Sequence, residues 1–212
     1  MKKIFFFTLV LSLNAKQIHA QEFVDPEASS SREWHMACAV SEYGNGKLAL
    51  PMMSYASGPS LSHDVTSTAS LALEAIYSGE YAWGFNIGLA LDSKRQILNA
   101  NDINPDFKGA DGNSEISISS IYVNGIYRWQ NLYLPFGLNL AQVTINKPST
   151  ALQQISNFPG LQASLGYFLG RHFAIEAGLR LIGIQAVFNA GNTSATRTGF
   201  LAEQFVSAKL YF

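Results

Sequence analysis

Charged side chains are scarce in this chain, and their scarcity limits what the protein does. Asp, Glu, Lys and Arg make up 14% of the 212 residues, against about 25% in ordinary soluble domains. The formal net charge is −1, so the chain lacks the basic surface that nucleic acid phosphates require. The composition therefore excludes a nucleic acid partner and fits a membrane protein better than a soluble enzyme.

Cysteine and histidine are also sparse. Cys38 is the only cysteine and has no partner for an intramolecular disulfide, so we interpret it as a small buried apolar side chain. The four histidines show no spacing typical of metal ligands. We expect no metal site and no cofactor.

Long apolar runs are missing beyond residues 4–13, and no later stretch reaches the roughly 20 apolar residues of a transmembrane helix. Met1-Lys2-Lys3, the run 4–13 and Ile18-His19-Ala20 together are typical of a secretory signal peptide that is cleaved after Ala20. If the mature protein sits in a membrane, it crosses the membrane with strands.

Alternation of apolar with small or polar residues is the strongest pattern present. It is clearest at 81–92, and it recurs at 70–77, 121–129, 132–140, 161–169, 173–181 and 200–212. Tight turns are predicted at Ser78-Gly79-Glu80, Gln130-Asn131 and Gly170-Arg171-His172. A strand between lipid and a lumen needs this alternation, and only a closed sheet leaves no backbone group unpaired in hydrocarbon.

The start of the barrel is harder to place. Residues 47–57 are the best candidate for the first strand, although Pro51 implies a gap or a strand end. The preceding segment, 21–46, is either a helix capped near Ser29-Ser30-Ser31 or a strand with alternating Trp34, Met36 and Cys38. A change of phase near Ser119-Ser120 predicts a β-bulge in the fourth strand.

These patterns predict an all-β fold, an eight-stranded antiparallel transmembrane β-barrel. Its expected organisation is a signal peptide at 1–20, a short periplasmic or interfacial segment at 21–46, and the barrel at 47–212. Short turns would face the periplasm. The longer connections, at about 58–67, 93–114, 145–158 and 189–198, would face outward.

Aromatic side chains gather at the short-turn end, where amphipathic rings favour a membrane interface. The residues concerned are Tyr77, Tyr81, Trp83, Tyr127, Trp129, Tyr133, Tyr167, Phe173 and the terminal Phe212.

Polar residues on the opposite phase of the strands are expected to face the lumen. They are Glu74, Asn124, Arg128, Glu176, Arg180, Glu203 and Lys209. Side chains just fill an eight-stranded barrel, so these charges should pair in a network and not line an open porin channel.

With the signal peptide, the three hairpins and the strand ending at Phe212, the chain resembles small outer-membrane β-barrels such as the OmpA transmembrane domain, OmpX and OmpW. The resemblance implies a barrel in the outer membrane of a Gram-negative bacterium, inserted by the outer-membrane assembly machinery among lipids and lipopolysaccharide. We expect a monomer that acts structurally or through its surface loops, in adhesion, contact with a host or surface ligand, or lipopolysaccharide packing.

The segment Leu48-Ala49-Leu50-Pro51 is similar to the first strand of the lipid A palmitoyltransferase family. That resemblance implies an alternative, acyl transfer by a serine, a histidine and a carboxylate. Asp92 and Ser93 match the family's pair after the third strand. The family's histidine is replaced by Ala56, which leaves His63.

A third possibility is a conduit for small hydrophobic compounds, which would need a lateral opening and an apolar upper lumen. Ile182, Ile184, Ala186 and Phe188 leave this open, because the two faces of their strand are hard to separate.

Overall fold

The computed structural model describes residues 33–50, 61–79, 82–97, 114–146, 152–190 and 193–212. In these ranges the regular elements are strands, namely β1 (Glu33–Tyr43), β2 (Gly46–Leu50), β3 (Leu61–Val65), β4 (Thr68–Ser78), β5 (Trp83–Asp92), β6 (Arg95–Ile97), β7 (Ser114–Trp129), β8 (Leu132–Asn146), β9 (Leu152–Phe168), β10 (Phe173–Ala190) and β11 (Thr193–Tyr211). Among the described residues, no helix is long and apolar enough to cross a membrane. The predicted signal peptide lies outside them.

The strand segments close into a ring of eight antiparallel wall strands. β2 continues β1, β4 continues β3, and β6 continues β5, each after a short interruption. Closure comes from β1 and β11, which pair from Ala37 with Tyr211 to Tyr43 with Phe205. A closed ring has no free edge, so the wall satisfies its own backbone groups. The eight-stranded barrel that the alternation predicted is confirmed.

Short hairpins join the wall strands at one end, which we call the inner end. β4 and β5 pair up to Ser78 with Gly84, and β7 and β8 pair up to Trp129 with Leu132. The second hairpin turns through Gln130, whose φ of 55° is left-handed. The opposite end, where the chain passes from β2 to β3, from β6 to β7, from β8 to β9 and from β10 to β11, is called the outer end.

The first wall strand begins earlier than predicted. Glu33–Tyr43 is β1 and pairs with both β4 and β11, so the strand interpretation of this segment holds and the helical one is wrong. Of the expected first strand, 47–57, the described residues 47–50 belong to the outer continuation β2, and the others lie outside the described residues. Alternating Trp34, Met36 and Val40 are all exposed on the outside of the wall, as a lipid-facing strand requires.

The predicted bulge at Ser119-Ser120 is wrong. β7 pairs with β8 in one continuous register from Glu115 with Asn146 to Trp129 with Leu132. The irregularity lies on the neighbouring wall strand instead. Leu91 pairs with Ser119 but Arg95 pairs with Ile116, so one extra residue is inserted between β5 and β6.

The wall strands are also longer at the outer end than expected. β9 begins at Leu152 and β11 begins at Thr193, so much of the expected connections 145–158 and 189–198 belongs to the wall. The physical reason is that the two faces of the wall exchange character near the outer end.

Candidate functional site: a layered lumen

Three layers fill the lumen, and the innermost is an aromatic floor. The ring of Tyr133 lies 4.8 Å from that of Phe168, which in turn lies 5.3 Å from that of Tyr211. Ile76 and Ile126 are buried in the same layer. Packed rings and aliphatic side chains leave no aqueous path at this end.

Above the floor lies a group of ionised side chains that we call the lower cluster, Glu74, Glu176 and Lys209. Lys209 Nζ lies 2.8 Å from Glu74 Oε1 and 2.8 Å from Glu176 Oε2. Tyr122 donates its hydroxyl proton to Glu74 at 2.7 Å, and Ser164 donates to Glu176 at 2.7 Å. Strand alternation turns each of these side chains inward, and burial makes their pairing obligatory.

The upper cluster comprises Asp92, Arg95, Arg180 and Glu203. Arg95 donates from Nη1 to Glu203 Oε2 at 2.5 Å and from Nη2 to Asp92 Oδ2 at 2.9 Å. Arg180 donates from Nε to Glu203 Oε1 at 2.5 Å and from Nη2 to Asp92 Oδ2 at 2.6 Å. Two carboxylates thus neutralise two guanidinium groups, and the Arg180 guanidinium also lies 3.7 Å from the centre of the Tyr43 ring.

Both clusters together form a charged belt across the lumen. A cavity of about 30 Å³ lies between them, lined by Tyr43, Asn124, Glu176, Ser207 and other residues of the belt. Such a volume holds one or two water molecules. It is too small for a solute path, so the belt and the floor close the barrel along its axis.

The outermost layer, which we call the outer chamber, is apolar. Its members are all buried: Leu48, Val65, Ile97, Ile116, Ile118, Ala141, Val143, Ile182, Ile184 and Leu201. They lie at the alternate strand positions that face the lumen, as do the residues of the charged belt.

The outside of the wall changes at the same height. Along β7, lipid-type Ile121 and Val123 are followed toward the outer end by Ser119 and Ser117. Along β8, exposed Leu140 is followed by exposed Gln142. Up to the height of the belt the wall is therefore apolar outside, as in a membrane barrel. Above the belt, β7 and β8 are polar outside and apolar inside, as in a water-soluble barrel, while Phe158 and Phe200 stay exposed on β9 and β11.

One seam of the wall opens at this height. The ladder between β8 and β9 ends at Leu140 with Pro159. On either side the wall continues outward, since β7 with β8 pairs as far as Asn146 and β9 with β10 pairs as far as Leu152. Within the described residues, the outer parts of β8 and β9 are not paired with each other, and Pro159 brings no N–H to extend the ladder.

The structure places the predicted lumen residues as follows. Glu74, Glu176, Arg180, Glu203 and Lys209 lie in the belt, and Asn124 accepts a hydrogen bond from Gln162 at 2.9 Å. Arg128 stands apart near the inner end and donates to Ser78 at 2.8 Å.

Two charged members of the belt were missed as lumen residues. Arg95 was expected in a loop, and Asp92 was assigned to the alternative catalytic site. Arg95 and Ile97 are buried and Gln96 between them is exposed. This alternation is the signal in the sequence that indicates a strand at these residues.

The aromatic side chains of the inner end lie mostly on the outside of the wall. Trp83 and Tyr127 are exposed with ring centres 5.0 Å apart, and Trp34, absent from the predicted set, lies 5.3 Å from Tyr77. Tyr133 belongs to the floor, because its odd position in β8 faces inward. The remaining predicted members are exposed Trp129, Tyr167 and Phe212 and half-buried Phe173; Tyr81 is outside the described residues.

The alternative acyl-transfer residues do not form a site in the described part of the chain. The Asp92 carboxylate is 1% exposed and accepts from two arginines through Oδ2, so it lies buried in the upper cluster and not at the surface. Ser93 is exposed and contributes its backbone carbonyl to Thr68 Oγ1 at 2.7 Å. The backbone of His63 pairs with Leu48, while its side chain lies outside the described part.

The sequence matches no family model and no curated protein. Solved structures do match. Outer membrane protein AlkL is 14% identical over 92% of this chain and 94% of its own, with a TM-score of 0.55. Neisserial surface protein A is 15% identical over 86% and 99%, with a TM-score of 0.45. Outer membrane protein W of E. coli is 13% identical over 82% and 97%, with a TM-score of 0.44.

The closed antiparallel ring of eight strands agrees with the likeness to AlkL at the level of fold. The chain therefore has the fold of the small outer-membrane β-barrel proteins.

Proposed function

We propose that the outer chamber binds small hydrophobic compounds from outside the cell and delivers them to the lipid around the barrel. The apolar outer chamber is the observation that carries the proposal. A wall built only to cross the membrane and present loops has no need of an apolar lumen above its charged belt. Apolar side chains facing inward behind a polar outer surface are the arrangement of small barrels that hold an apolar ligand.

The route out of the chamber follows from which of its sides are closed. The belt beneath it holds the ion pairs of Arg95 and Arg180 with Glu203, and an apolar compound cannot replace those ion pairs. The unpaired seam between β8 and β9 begins just above exposed Leu140, where the apolar outside of the wall ends. The lower end of this seam lies at the boundary between the apolar and the polar outside of the wall, so exit there leads to the membrane interface and not to the periplasm.

Two other functions have less support. Action through surface loops stays a prediction, because most of the outer connections lie outside the described residues. Acyl transfer would require Asp92, which is buried with two arginines on its Oδ2 atom, to act together with Ser93, which is exposed.

Uptake by Gram-negative cells tests the proposal. Cells carrying the protein should take up a labelled n-alkane faster than cells with an empty vector. Val143→Asn, which puts an amide of similar size into the chamber, should reduce uptake toward the vector level, while Thr144→Asn on the exposed face should not. Heat-dependent gel mobility gives the folded amount of each variant. Wild-type uptake by folded Val143→Asn protein would refute the proposal.

A further inference from the structure

The upper cluster, which underlies the outer chamber, has two polar atoms with no partner among the described residues. They are Oδ1 of Asp92 and Nε of Arg95. Both side chains are deeply buried, at 1% and 0% exposure. Their remaining polar atoms are engaged in the upper cluster, where Nη2 of Arg95 donates to Oδ2 of Asp92 at 2.9 Å. Asp92 therefore has one free hydrogen-bond acceptor and Arg95 has one free donor, and the two side chains already form an ion pair with each other.

The position of Arg95 places its free donor at the top of the belt. The backbone of Arg95 lies at chamber level, where it pairs with Ile116. Its side chain runs inward to the belt, and its terminal nitrogens bind Glu203 and Asp92. Nε precedes those nitrogens along the side chain, so it lies between the apolar chamber and the ion pairs.

A hydroxyl group is the chemical group that suits both atoms at once. Its proton can be donated to Asp92 Oδ1 while its oxygen accepts from Arg95 Nε. An ether satisfies only the arginine. A hydrocarbon satisfies neither, and a buried donor or acceptor that loses water without gaining a partner opposes binding. A carboxylate on the ligand would be repelled by Asp92 and Glu203, and an ammonium group would be repelled by Arg95 and Arg180.

We infer that the chamber selects small hydrophobic compounds that carry one hydroxyl group, alcohols or phenols, over hydrocarbons of the same size. The inference rests on the proposed function and adds the substrate class. The apolar body would lie among Ile116, Ile118 and Ile182, and the hydroxyl would lie on the upper cluster.

The test uses the full mature chain in lipid nanodiscs with isoleucine methyl groups labelled for NMR. The probes are 1-hexanol, n-heptane and pentyl methyl ether, which have equal numbers of non-hydrogen atoms. Ile116, Ile118 and Ile182 report on the chamber, whereas exposed Ile87 and Ile121 report on probe dissolved in the lipid. Affinities are referred to the lipid-phase concentration, measured with protein-free nanodiscs, so that differences in hydrophobicity cancel.

We expect 1-hexanol to bind about tenfold more tightly than n-heptane, a difference of about 1.4 kcal/mol, with the ether between them. Arg95→Lys keeps the positive charge but lacks Nε, so it should bring the ratio of the two affinities toward one. Asp92→Asn removes the charged acceptor and should act in the same direction. Arg128→Lys changes a lumen arginine near the inner end and should keep the wild-type ratio.

The outcomes distinguish failure of the hydroxyl inference from failure of the proposed function. Equal affinities for 1-hexanol and n-heptane would overturn the hydroxyl inference and leave the proposed function standing. A wild-type ratio in folded Arg95→Lys and Asp92→Asn proteins would overturn it as well. Shifts confined to Ile87 and Ile121 with every probe would overturn the proposed function itself.

Discussion

Replacing Glu203 with glutamine should destabilise the barrel strongly. The Glu203 carboxylate accepts from Arg95 Nη1 and Arg180 Nε, both at 2.5 Å, and its side chain is fully buried. Glutamine leaves Asp92 as the only carboxylate for two buried guanidinium groups. Removing one partner of a buried ion pair costs about 3–5 kcal/mol, and we expect a loss of that size in the free energy of unfolding.

The measurement is denaturant unfolding of the refolded protein in lipid vesicles. The matched control is Glu42→Gln, which makes the same chemical change at an exposed position on β1 and should cost less than about 0.5 kcal/mol. Adding Arg95→Gln to Glu203→Gln restores the charge balance and should recover about 1 kcal/mol or more of the loss. A Glu203→Gln protein as stable as Glu42→Gln would refute the claim that the belt is sealed from water.

Two further predictions concern packing and closure. Gly88→Ala should lower the free energy of unfolding by about 1–3 kcal/mol, because an added Cβ would lie 2.2 Å from the ring of Tyr122, whose hydroxyl donates to Glu74. Gly125→Ala, whose added Cβ would have its nearest contact at 3.5 Å, should be nearly neutral. Equal denaturation midpoints for the two variants would contradict this prediction. In planar bilayers the purified protein should show no stable open channel, since floor and belt close the lumen, and long-lived openings in symmetric salt would contradict that closure.

The membrane-crossing part of the wall was predictable from sequence because lipid imposes a simple rule. Ile87, Leu89 and Leu91 face hydrocarbon while Asn86, Gly88 and Ala90 face the lumen, and this period of two is visible without any tertiary information. The same rule identified the inward polar residues. It did not give their partners, because Arg95 and Glu203 are 108 residues apart and meet only when the ring closes.

The outer part of the wall was not predictable by that rule. Ile116 and Ile118 suggested a bulge because apolar residues were assumed to face lipid, whereas the register continues and both residues face inward. Polar Ser117 and Ser119 between them are the outward residues. Alternation gives the period of a strand but not which face is buried, and that choice depends on whether the surroundings are lipid or water.

The exchange of faces at the belt is the central claim, and contacts between lipid acyl chains and isoleucine methyl groups test it most directly. In nanodiscs, NMR cross-peaks from the acyl chains should reach Ile121 and Ile87 and should be absent at Ile116, Ile118 and Ile182. Acyl-chain cross-peaks at Ile116 and Ile118 as strong as those at Ile121 would mean that these side chains face lipid, and the outer chamber would not exist.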